Sequence, residues 1–139
     1  MDEEFENELL RRSARGDVAA QVELSQRALV EPSLTAVQQF TVAEIFARQA
    51  ACQHSEAGLR QFAAVLVLQA SFVLQAGDRD LGAQKAGHAL AILDLLADAD
   101  VENASLIIEQ MLDAAEVDGV REQAIAVAKQ MANMDLACA

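Results

Sequence analysis

The stretch "ARGDVAAQVELSQRAL", Ala14 to Leu29, decides how the rest of the chain is read. Gly16 sits where a helix would stop, and the Asp17 side chain can accept from the open amides of a following first turn. The pair therefore ends one helix and caps the next with almost no loop between them. After the cap, Ala20, Gln21 and Leu24 follow as a small residue, a polar residue and a core anchor. Helices joined this tightly pack antiparallel to their sequence neighbours.

Working outward, the composition favours the same architecture. The 139 residues are 53% hydrophobic, almost wholly through Ala, Leu and Val, while aromatics supply 4% and Trp and Tyr are absent. Ala and Leu lose little side-chain freedom in a helix, whereas a sheet draws on β-branched and aromatic residues. Six glycines and a single proline, Pro32, leave little turn material for hairpins. The length suits one domain with a continuous core, so the expectation is a single helical domain over 1–139 with residues 1–4 frayed.

Further boundaries come from Ser33, Ser55 and Asp78 as caps, and from Gly77 and Gly119 as stops. Pro32 cannot continue the helix before it, and Ser33 can cap the helix after it. The predicted helices are 4–14, 17–30, 34–52, 56–76, 79–98, 101–116 and 119–135. The longest apolar run, "LRQFAAVLVLQASFVLQAG" over 59–77, is broken by Gln61, Gln69, Ser71 and Gln75. Its uninterrupted part falls short of the ~20 residues of a membrane span, so it reads as a core helix. Phe62, Val65, Leu66, Phe72 and Val73 share one side, with Ala63, Val67, Leu68 and Leu74 on the other. Such a helix should be covered on more than one face.

Whether the helices form an open solenoid or an irregular bundle turns on internal repetition. "GDVAAQVEL" resembles the first helix of the Sel-like branch of the tetratricopeptide superfamily, in which a Gly-Asp or Gly-His turn leads into Glu-Ala-Gln and Leu-Gly. "ARQAACQHSEAGL" is similar to that family's junction between units, and Ala20 and Ala57 stand about one unit apart. "AGDRDLGAQ" repeats Ala83 and Gln84 out of register. Ser25 stands where the family has glycine, Gly58 where it has Gln, and the groove-filling aromatics are missing. No repeat is found beyond about residue 84. The resemblance implies an all-α fold of antiparallel helical hairpins, a right-handed tetratricopeptide-like α-solenoid, and a protein that binds other proteins; the alternative fold is an irregular helical bundle.

The formal charge of −12 sets the surface against nucleic acid and acidic membranes, because both attract Lys and Arg. "MDEEFENELL" has neither the basic end nor the apolar run of a secretory signal, which implies a cytoplasmic protein and reduced thiols at Cys52 and Cys138. Catalysis finds no support in the pattern. His54 and His88 are the only histidines, "CQHSE" is a poor metal site, and His88 lies in the Ala-rich helix "KAGHALAIL". "DADVENASLIIE" places Asp98, Asp100, Glu102 and Glu109 at ligand positions of a calcium loop. Asn103 then stands where that loop needs glycine, and Leu106 to Ile108 read as a helical core face. The expectation is no enzyme, no metal and no cofactor.

One larger signal remains. Between Ala86 and Val120 there are eight acidic residues and no Lys or Arg. Asp94, Asp98, Asp100, Glu102, Glu109, Asp113 and Glu116 are the candidate partner-binding residues, with Asp118 completing the run. A surface so charged can steer a basic partner, although solubilising charge alone gives the same pattern. Two functions follow: a non-catalytic protein-interaction module for another protein or peptide of basic character, or a self-associating regulator. The second would form a homodimer through the apolar faces of residues 62–74 and 106–131.

Overall fold

The computed structural model describes residues 3–99, 101–132 and 134. The fold is all-α, with no strand among the described residues. The helices are α1 (Glu3–Ala14), α2 (Val18–Leu29), α3 (Ala36–Ala51), α4 (Glu56–Gln75), α5 (Arg79–Asp98), α6 (Ala104–Val117) and α7 (Arg121–Met131). Each predicted helix is present, and three of the four expected caps hold. Asp17 accepts from the Ala20 amide at 3.1 Å, Ser55 from Gly58 at 3.0 Å, and Asp78 from Leu81 at 3.0 Å.

Ser33 does not cap α3. Its amide and hydroxyl both donate to the Glu31 carboxylate, at 3.2 and 2.9 Å. Thr35 takes the position instead, accepting from the Gln38 amide while the Gln38 side chain accepts from the Thr35 amide. This reciprocal pair satisfies two open donors, so α3 starts at Ala36.

The chain divides into two compact units, with the boundary inside α4 between Val65 and Leu66. In the first unit, Leu9, Ala20 and Leu24 form a buried cluster with Phe46 packed against it. Ala43, Ala47, Ala50 and Ala51 are fully buried along α3. Ser25 is also fully buried: its hydroxyl donates to the Ala43 carbonyl at 2.7 Å and accepts from Gln61 Nε2 at 3.0 Å. Gln21 similarly donates to the Ser13 carbonyl at 2.9 Å and accepts from Gln53 at 2.8 Å. Buried amides satisfied in this way fix the register of small-residue helices that apolar contact alone would leave free to slide.

The second unit is organised by α5, which is buried at positions from Gly82 to Leu96 and packs against both α6 and α7. Gly87 permits the approach of α7, since a Cβ there would fall 2.5 Å from Val127 Cβ and 2.7 Å from the Ala124 carbonyl oxygen. Ala83, Ala115 and Val120 form a cluster against which Leu74 packs. The turn before α5 repeats the turn before α2. Gly77 and Gly16 have φ of +90° and +89°, and the following Asp amide reaches back to Val73 or Arg12 at 2.9 or 3.0 Å. The second unit's part of α4 is less covered than the sequence pattern implied. Phe72 and Val73 are half-buried and Leu68 is 46% exposed.

By length and composition α4 could cross a bilayer, yet Phe62, Val65 and Leu66 on it are fully buried within the protein. The expectation of a reduced thiol at Cys52 is corrected: Cys52 is disulfide-bonded. That expectation argued from compartment alone, which carries no information about which cysteines a fold brings together. Cys138 lies outside the described residues.

Candidate functional site

The incomplete cover of α4 opens a groove of about 390 Å³ in the second unit. Val67, Leu68, Ser71 and Leu74 from one face of α4 form one wall. Ile107, Gln110, Met111, Ala114 and Asp118 form the other, at the spacing that aligns residues along one side of a helix. Ala70, Ala86, Ala115 and Val120 complete the lining, so much of it is methyl-sized. The walls are open to solvent, with Leu68 46% and Ile107 36% exposed. Among the described residues, Asp118 is the one ionisable residue in the lining.

The groove exists because α6 is apolar around more of its circumference than one neighbour can cover. Ala104 and Ala115 are buried, Ile108 and Leu112 half-buried, and Leu106 and Ile107 exposed. Sequence alone does not show this, because Val67 and Leu74 look like residues awaiting a covering helix. The alanines at 70, 86, 114 and 115 leave room where larger side chains would fill it, yet in sequence they are ordinary helix formers and do not mark the groove.

The acidic candidates lie elsewhere. Asp94 and Asp98 are exposed one turn apart on α5, and Glu102 is exposed in the turn before α6. Partial burial, and then the charge of Asp98, hold the Asp94 carboxyl above the usual carboxylate range. Asp100 lies outside the described residues. Glu109, Asp113 and Glu116 form one exposed stripe on α6. At ~100° per residue that stripe is centred roughly 150° around the helix from the groove-lining stripe, nearly on its back. None of the six described candidates lines the groove.

Two further clefts are smaller. In the first unit, Leu10, Leu24 and Phe46 line a cleft of about 190 Å³ with Glu6, Arg27 and Glu31, and Arg27 pairs with Glu23 at 2.8 Å. His88 is half-buried in a cleft with Lys85, Val127 and Met131. His54 is exposed with φ +56° and ends α3, its amide donating to the Ala51 carbonyl at 2.8 Å. No group of three or more His, Cys, Asp or Glu among the described residues could hold a metal ion. The sequence matches no protein-family model, and neither curated proteins nor solved structures give a significant match.

Proposed function

We propose that the chain is a non-catalytic protein-interaction module, built on tetratricopeptide-like antiparallel hairpins, that holds a segment of another protein in the groove between α4 and α6. The observation that carries this reading is the groove itself. It is an open, mostly apolar trough whose exposed Leu68 and Ile107 would be shielded from water by a bound segment. The repeated Gly-Asp turn at 16–17 and 77–78, with the same cap, supports the hairpin reading.

A photo-crosslinking amino acid placed in living cells at Gln110, inside the groove, and separately at Asp113, on the acidic stripe, tests the proposal. Adducts with another protein from Gln110 and not from Asp113 are the expected result. Adducts from Asp113 alone would move the interface to the acidic face, and none from either position would remove the interaction reading. An adduct of twice the chain's mass from Gln110 would favour the homodimer.

A further inference from the structure

We infer that the occupant of the groove is a single basic amphipathic helix of a partner protein, about three turns long, with cationic residues toward Asp118. The inference rests on the interaction reading above and adds the chemistry of the partner. Ile107 to Asp118 spans roughly 16 Å at 1.5 Å rise per residue, which is three turns of a helix laid alongside. Both walls are helices whose backbone groups are internally paired, so the groove offers side chains and no edge for an extended strand. Among the described residues it has no aromatic lining, which proline-rich segments require. Alanines in the lining let a helix approach closely, with apolar anchors at i, i+3 or i+4, and i+7 fitting between Leu68 and Ile107.

Charge chooses the partner. Residues 66–137 include twelve acidic residues against four basic ones. At the end of α6, the Arg79 guanidinium donates to the Gly119 carbonyl at 2.7 Å and Arg121 stands 4.0 Å from Glu116. Neither arginine lines the groove, which leaves Asp118 as its charge among the described residues, at the negative end of the α6 dipole. A second copy of this chain would bring the same acidic excess against itself. A small apolar ligand would be left largely open to water between these walls, whereas such ligands are normally 70–90% enclosed, as a rough guide.

A display library of helical 14-residue peptides, randomised at every position, is selected on the full chain and counter-selected on Leu68→Asp and Ile107→Asp variants. Circular dichroism confirms the fold of both variants. The expected winners carry apolar residues at one helical face and Lys or Arg beside it. A winner should lose at least tenfold in affinity on either groove variant, lose a few-fold on Asp118→Asn, and weaken as salt rises. Winners that are apolar without basic residues, yet still lost on the groove variants, would overturn this inference and leave the interaction reading standing. Winners indifferent to both groove variants, or no winners at all, would overturn the inference. A dimer seen by sedimentation and abolished by Leu68→Asp would give the groove to a second copy.

Discussion

Asp17 joins two helices through one carboxylate, which accepts from the Ala20 amide at 3.1 Å and from Arg12 Nε at 2.9 Å. The amide first, and the guanidinium second, hold its carboxyl below the usual carboxylate range. A lowered folded value stabilises above the unfolded value of about 3.9 and is lost as pH falls through the folded one. Asn caps as well as Asp, so Asp17→Asn keeps an oxygen for the Ala20 amide and removes the charge together with the acceptor for Arg12. It should lower Tm at neutral pH, with the difference closing in acid; a difference that does not change with pH would show that the charge is idle. Asp94 has the opposite sign, its carboxyl being raised by burial and by Asp98. Its contribution falls as pH rises from the ordinary carboxylate value through the raised one, so Asp94→Asn should raise Tm at neutral pH. Leu24, read as an anchor from spacing alone, is buried against Leu9 and Phe46. Leu24→Ala should cost ~2 to 5 kcal/mol in denaturant unfolding, and a loss below ~1 kcal/mol would place it at the surface.

Among the elements, what was legible in sequence is what is settled locally. Gly16–Asp17 and Gly77–Asp78 each carry stop and cap within two residues, so neither boundary depends on the rest of the chain. Ser33 and Thr35 compete for one cap, and the winner depends on the Glu31 carboxylate engaging Ser33, which spacing does not reveal. The α4 pattern showed an apolar helix without showing which part would be left uncovered, so the groove was illegible. A groove is made by atoms that are missing, and alanines at 70, 86, 114 and 115 look in sequence like ordinary helix formers. Gly87 has the same character, since it reads as a weak point in a helix yet sits against Val127. Gly87→Ala should gain from helix propensity but force α5 and α7 apart, for a net loss of ~1 to 3 kcal/mol by thermal or denaturant unfolding. A stabilised variant would show that α7 can shift at no cost.

At the scale of the whole molecule, charge and apolar contact act at different distances, and kinetics can separate them. Asp94, Asp98 and Glu102 are exposed and outside the groove lining, so they touch no segment bound there. Their field still reaches an approaching cation, over ~8 Å at physiological ionic strength. Leu68 and Ile107 act only on contact. A basic helical peptide followed by stopped-flow fluorescence should therefore associate several-fold more slowly with the triple variant Asp94→Asn, Asp98→Asn, Glu102→Gln, at nearly unchanged dissociation rate. Leu68→Asp should do the reverse, leaving encounter almost intact and speeding dissociation at least tenfold. Raising salt should reproduce the triple variant's effect in the native protein and have little further effect on the variant. If salt and the triple variant leave the association rate unchanged while Leu68→Asp still speeds dissociation, the acidic residues only keep the surface solvated. Recognition would then rest on the apolar walls alone.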